Sequence, residues 1–185
     1  KTLRYPGGSN GLYWDWEKGW TMSYDELLPI LLEKKFEYNG KTISTVNELK
    51  QLTKDNRKSN SFWRQLYRYN AKTPKYNTIE EFSKGLNSTQ STAVLTLNVI
   101  TSHLEKELEL LRSAKNIGID VKYIELGNEV YAENLLTKHI YPTVDNYIDT
   151  CISWSKAILK EFPDFNILSF WELTTIVFKI VSWIM

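Results

Sequence analysis

Apolar residues in the second half of the chain recur with two different spacings, and the two alternate. Residues 93–100, Ala-Val-Leu-Thr-Leu-Asn-Val-Ile, form a short apolar run of strand length. The period then changes. Leu104, Leu108, Leu111 and Ala114 fall on one face of a helix, opened by the capping-box spacing of Ser102 and Glu105 and closed by Gly118. Residues 121–126 are a second apolar run. Residues 146–162 return to helical spacing, with Ile148, Ile152, Trp154, Ile158 and Leu159 as the apolar side, and residues 164–168 open one more strand. Upstream, Thr78 and Glu81 have capping-box spacing and predict a helix to about residue 86. At the amino end residues 3–5 read as a strand, broken by Pro6-Gly7-Gly8. Residues 20–77 are charged and irregular, with helices expected near 24–35 and 61–69. They are too long for an ordinary connection and read as a helical insertion on a core fold.

The order is therefore strand, insertion, helix, strand, helix, strand, helix, strand. That alternation predicts an α/β fold with parallel strands joined by helical crossovers. Both an open doubly wound sheet and a (β/α) barrel satisfy it. No glycine-rich phosphate loop follows a strand, because Pro6-Gly7-Gly8 lacks the required spacing and no helix begins at once. The length of 185 residues suits about one domain. A net charge of +1 gives no electrostatic case for nucleic acid. The single cysteine, Cys151, excludes an intrachain disulfide. His103 and His139 lack metal-ligand spacing and read as surface or core residues, so neither a metal nor a cofactor is implied. Aromatic residues make up 14% of the chain, enough that some could face a ligand; the plain alternative is a core rich in large side chains. The first residue is Lys1 and no signal peptide is visible, so the chain is expected to begin inside a fold.

In both architectures ligands bind at the carboxyl ends of the strands. Three such ends are rich in rings, amides or carboxylates. The first leads to Tyr13, Trp14, Asp15 and Trp16, the second carries Asn98, and the third ends at Asn128-Glu129. A carboxylate flanked by Leu126 and Val130 is expected to be partly desolvated, which suits a general acid. The Asn128 amide both donates and accepts, which suits a sugar hydroxyl. The alternative is a helix start, with Asn capping and Glu favouring the dipole. Glu125 shares strand parity with Glu129 and, if buried, needs a partner such as Arg4.

Three segments, Leu3-Arg-Tyr-Pro-Gly-Gly-Ser-Asn-Gly-Leu-Tyr-Trp-Asp-Trp16, Leu97-Asn-Val-Ile-Thr101 and Glu125-Leu-Gly-Asn-Glu129, together resemble a clan of retaining (β/α)8 glycoside hydrolases. It is the clan of α-L-arabinofuranosidases and heparanase-like β-glucuronidases. The resemblance covers residues 1–19 and 78–168. It implies a partial TIM barrel, about strands two to five, over residues 1–168. It makes Glu129 the acid/base and Asn128 the partner of the sugar's 2-hydroxyl. Arg4 then resembles the arginine near the nucleophile, and Asn98 the asparagine lining the sugar subsite. Tyr13, Trp14 and Trp16 resemble the rings of the substrate-facing loop. A carbohydrate is the implied partner, with no cofactor and no nucleic acid, in a secreted or lysosomal setting.

The departures are also specific. The nucleophile of a retaining glycosidase is a second carboxylate about 5–5.5 Å away, which the clan supplies from strand seven. Neither Glu133 nor Glu172 is a convincing substitute, so the resemblance implies a fragment that is inactive alone. The 169–185 tail is apolar but carries Glu172 and Lys179. It reads as chance translated sequence, as a buried strand and helix, or as a membrane anchor, the last disfavoured by those charges. Residues 61–76 interleave basic and aromatic residues, which suits either single-stranded nucleic acid or, more simply, a solvated helix face. Asn87-Ser-Thr89 is an N-glycosylation sequon. Two other functions fit: a non-catalytic carbohydrate-binding protein, and a translated fragment with no function.

Overall fold

The computed structural model describes residues 1–33, 36–38, 40–59, 61–71, 78–130 and 135–168. Its centre is a four-stranded parallel sheet of β1 (Thr2–Tyr5), β6 (Thr92–Leu97), β7 (Val121–Leu126) and β8 (Asn166–Leu168), paired in that order. Two antiparallel ribbons lie between the first two of these strands: β2 (Trp14–Asp15) with β3 (Trp20–Thr21), and β4 (Glu37–Tyr38) with β5 (Lys41–Thr42). The helices are α1 (Tyr24–Leu32), α2 (Val46–Asn56), α3 (Ser61–Ala71), α4 (Ile79–Thr89), α5 (Leu104–Asn116), α6 (Leu135–Ile140) and α7 (Val144–Glu161), and a 3-10 helix spans Gly8–Leu12. The expected α/β alternation is present, and successive sheet strands lie side by side without a reversal of order.

Strand alternation divides the sheet into two faces. Leu95, Leu97, Ile124 and Leu126 belong to the apolar core, with Leu108, Leu110, Leu111 and Ala114 of α5 and Tyr147, Cys151, Trp154 and Ile158 of α7. The opposite parity carries Arg4, Val94, Thr96 and Glu125, because Arg4 pairs with Val94 and Thr96 with Glu125. That face is polar at its carboxyl end, and it is where the site lies.

Several local expectations shift. The helix expected to be capped by Ser102 is capped one residue later: His103 Nδ1 accepts from the Lys106 backbone N–H at 3.3 Å. His139 faces the Leu31 carbonyl, its Nε2 3.0 Å away, so both histidines have structural partners. The second strand stops at Leu97 rather than running to residue 100, because Asn98 turns the chain there. The start of α7 is set by Thr143 and Asn146 as a capping box, two residues before the expected boundary. Inside the insertion α2 was not anticipated, although Thr45 and Glu48 form its capping box. The insertion is not loose decoration: Leu27, Leu31, Leu49, Trp63 and Leu66 join the same core cluster as the sheet. In α3, Trp63 and Leu66 are buried and Arg57 stacks over Tyr67, 5.4 Å from the ring centroid, while residues 72–76 of the basic and aromatic segment lie outside the described residues. Glu133, Glu172 and the 169–185 tail lie outside the described residues.

One core carboxylate makes stability depend on pH. Glu107 in α5 is 1% exposed, accepts from the Asn98 backbone N–H at 3.2 Å, and is pushed up to about 7 by burial, against the opposing Asn98 hydrogen bond and the nearby Lys106 charge. A carboxyl raised in the folded state binds its proton where the unfolded chain has lost it. Its contribution therefore falls as pH rises from about 4.5 to about 7, by on the order of 3 kcal/mol. Exposed Glu48 and Glu161 are held low by hydrogen bonds and act in the opposite direction. The clean readout is the difference between wild type and Glu107→Gln. Denaturation midpoints at pH 5 and pH 8 should show the variant gaining stability relative to wild type at the higher pH; a pH-independent difference would refute the shift.

Candidate functional site at the carboxyl end of the sheet

The third sheet strand ends in a turn that only this sequence order permits. Gly127 has φ +80°, and a Cβ built there would lie 2.6 Å from Val130 Cγ2 and 2.9 Å from Val99 Cγ2. Both the backbone conformation and the space require glycine. The Gly127 N–H donates to the Leu97 carbonyl at 3.0 Å, which ties the ends of β6 and β7 together. Two residues on, Glu129 is also left-handed at φ +46°. A non-glycine residue there costs roughly 1 kcal/mol, and such strain concentrates where a side chain must be aimed.

The turn displays Glu129 differently from expectation. Leu126 and Val130 are buried, but Glu129 itself is exposed, so they do not shield its carboxylate. No hydrogen bond or ion pair holds that carboxylate among the described residues. Residues 127–129 are bends outside any helix, so the helix-start alternative does not describe them.

Beside the turn, side chains from three strands converge. Arg4 of β1 pairs through Nε with Glu125 of β7, and its Nη2 donates to Asn128 Oδ1 at 2.8 Å. Thr96 Oγ1 of β6 donates to Glu125 Oε2 at 3.1 Å. Glu125 is 4% exposed, and a buried carboxylate requires such partners; Arg4 is one of the options the sequence offers. Thr96 was not anticipated. Its signal lay in parity, since it faces the same side as Val94 and its register partner is Glu125. The 3-10 helix lies against this group at Gly11, where a Cβ would come within 2.7 Å of Thr96 Cγ2.

The remaining expected ligand contacts form a second, inward-facing group. Asn98 is 1% exposed. Its Nδ2 donates to the Trp14 carbonyl at 3.1 Å and to Thr101 Oγ1 at 2.8 Å, and its Oδ1 accepts from the backbone N–H groups of Ile100 and Thr101. Those four bonds use every position the amide has, so nothing remains for a sugar. Tyr13 and Trp14 are buried core residues, and Trp14 meets Tyr5 edge-on with centroids 5.0 Å apart. Trp16 is half-buried and donates Nε1–H to the Lys106 carbonyl at 3.0 Å. Asp15 binds Lys106 Nζ at 2.9 Å and caps its own turn through Glu17 and Lys18 N–H groups. The loop after β1 is thus clamped onto β6 and α5, with its rings used as packing.

A cavity of about 440 Å³ lies elsewhere, between α1, the loop after β6 and α7. Arg4, Asn128 and Glu129 do not line it. Several of its polar groups are already engaged: Tyr141 bonds the Val99 carbonyl, Thr150 the Asn146 carbonyl, and Asn146 caps α7.

The chain is a mixed α/β fold in which a four-stranded parallel sheet carries a polar, partly exposed cluster at its carboxyl ends. No protein-family model matches the chain, and no curated protein matches it. Among solved structures it is similar to the thermostable GH51 α-L-arabinofuranosidase from Thermotoga petrophila, with a TM-score of 0.52 and 17% identity. The match covers 91% of this chain and 30% of that enzyme's chain. At this identity the likeness is one of fold alone, and the chain spans less than a third of that enzyme. No helix among the described residues is long and apolar enough to cross a membrane.

Proposed function

We propose that this chain carries the acid/base end of a retaining glycoside hydrolase site. The unreversed order of four parallel strands supports a singly wound, partial (β/α)8 barrel over the open doubly wound alternative, which reverses at its switch point. The observation that carries the functional reading is the Gly-Asn-Glu turn. It holds an exposed Glu129, unpaired among the described residues, in a strained left-handed conformation beside the Arg4–Asn128 hydrogen bond. In this reading Glu129 protonates the departing oxygen and then draws a proton from the water that releases the sugar. Asn128 binds a sugar hydroxyl. The nucleophile is a separate carboxylate. Glu125 does not suit that role, because its Oε2 is already bound by Arg4 and Thr96.

A second reading, carbohydrate binding without chemistry, draws on the same exposed strand end. Calorimetric titration of the 185-residue chain with a panel of methyl glycosides tests the shared element. Saturable binding that weakens about tenfold in Asn128→Ala supports both readings. No binding by a cooperatively folded sample would sink both. Turnover of glycosides with poor leaving groups by a protein that contains this segment, lost in Glu129→Gln, separates hydrolysis from binding.

A further inference from the structure

Asn128 is 7% exposed, and its amide is not free to choose its orientation. Arginine only donates, so the oxygen of the amide must be the atom that faces Arg4 Nη2, 2.8 Å away. Arg4 is itself held: Nε is bound by Glu125, and Glu125 is fixed by Thr96. The planar guanidinium spans two acceptors from β7 and its turn at once. Arg4 takes one of the two acceptor positions of Oδ1, while both Nδ2–H groups make no hydrogen bond among the described residues. Nδ2 is also absent from the fully buried atoms that lack a partner, so it keeps a path to solvent.

We propose that Arg4 is a positioning residue that fixes the Asn128 amide with its donors outward, so that the strand end recognises an oxygen acting as acceptor. The inference rests on the carbohydrate reading for the identity of the ligand, a sugar hydroxyl, but its structural half does not. A freely rotating asparagine would offer a donor or an acceptor with equal ease. One locked by Arg4 discriminates. A hydroxyl already committed as a donor elsewhere still fits, because its lone pairs are available to the outward Nδ2–H groups; a group that can only donate gains nothing from them.

Arg4→Lys is the informative variant. A lysine keeps a cation beside Glu125 but has no planar fork, so it is expected not to hold Glu125 and Asn128 together. Two readouts are used on the full chain. The first is the side-chain ¹⁵N–¹H₂ pair of Asn128, identified by its disappearance in Asn128→Asp. The wild-type pair should be rigid on the nanosecond scale and exchange with solvent; in Arg4→Lys it should lose order, while in Thr96→Val it stays rigid. The second is titration with methyl α-L-arabinofuranoside and its mono-deoxy analogues. One deoxygenation should cost the wild type about tenfold in affinity, and Arg4→Lys should reduce that discrimination below threefold. An Asn128 amide already mobile in the wild type, or equally rigid in Arg4→Lys, overturns the proposal. So does a wild type that binds the parent sugar with no penalty from any deoxygenation. Should no sugar bind at all, the carbohydrate reading fails, and amide order alone still decides the role of Arg4.

Discussion

In a protein that joins this segment to a nucleophilic carboxylate, Glu129→Gln is expected to lower kcat/KM by about 10²–10⁴ for glycosides with poor leaving groups. Activated aryl glycosides should be nearly spared in that parameter. The asymmetry follows from what the residue does. A poor leaving group needs a proton in the transition state, whereas a leaving group stable as an anion does not. The same carboxylate must later act as base toward water, so activated substrates should show a burst followed by slow release, with kcat and KM falling together. Glutamine is nearly isosteric and has no greater difficulty at φ +46°, so the turn itself should survive. A small anionic nucleophile such as azide should restore turnover of activated substrates, since it needs no base. A loss of equal size across all leaving groups would place Glu129 in binding or folding rather than in proton transfer. The exposure of Glu129 adds a requirement. The chain leaves this carboxylate open to water, so the bound glycoside has to supply the shielding that Leu126 and Val130 do not.

The alternation of strands and helices was legible because it depends on local period. Residues 121–126 form β7 at the expected limits, and the Thr78 cap opens α4. The Arg4–Glu125 pair was legible for another reason. A carboxylate placed by parity on an inner sheet position needs a cation, and few are in reach. What could not be read was the direction in which loops fold back. A ring-rich loop after a strand looks the same in sequence whether it lines a cleft or plugs a core. Tyr13 and Trp14 do the latter, because Asn98 and Lys106 hold the loop down through backbone carbonyls and Asp15. Asn98 illustrates the same ambiguity: an asparagine at a strand end is equally suited to bind a ligand or to turn the chain, and four internal hydrogen bonds decide the matter here. The exposure of Glu129 was hidden by backbone geometry. Flanking Leu126 and Val130 suggested shelter, but left-handed conformations at Gly127 and Glu129 separate the carboxylate from its apolar neighbours.

The sheet also bears on whether the chain stands alone. Among the described residues the strands β1 and β8 are its edges, and Leu3 and Leu168 on them are 37% and 39% exposed. Unpaired edges of this kind favour further strand pairing. The polar face between them is held together by one buried ion pair. This makes the energetics of that pair the most direct link between the fold and the candidate site.

Glu125→Ala is accordingly expected to cost about 2–3 kcal/mol in denaturant unfolding, below the usual range for breaking a buried pair. The reduction has a physical source. The Arg4 side chain is 30% exposed and can rehydrate when it loses its partner, whereas the Glu125 side chain is 5% exposed. Thr96 Oγ1, on a residue with no exposure, loses its acceptor and adds a penalty that water does not relieve. Glu125→Gln retains an oxygen that can stand in for Oε2 and accept from both donors, loses the charge, and should cost roughly 1 kcal/mol. Replacing both members, Arg4→Met with Glu125→Leu, removes the charge that would otherwise be stranded and should recover at least half of the loss. Urea midpoints at constant m-value would test the series. A double variant no more stable than Glu125→Ala would show that desolvated charge is not the source of the penalty. Stability and site should then separate: the double variant keeps the fold but releases Asn128 from Arg4, so it should lose sugar discrimination while retaining a cooperative transition. That separation would identify the pair as a positioning device that the sheet can do without.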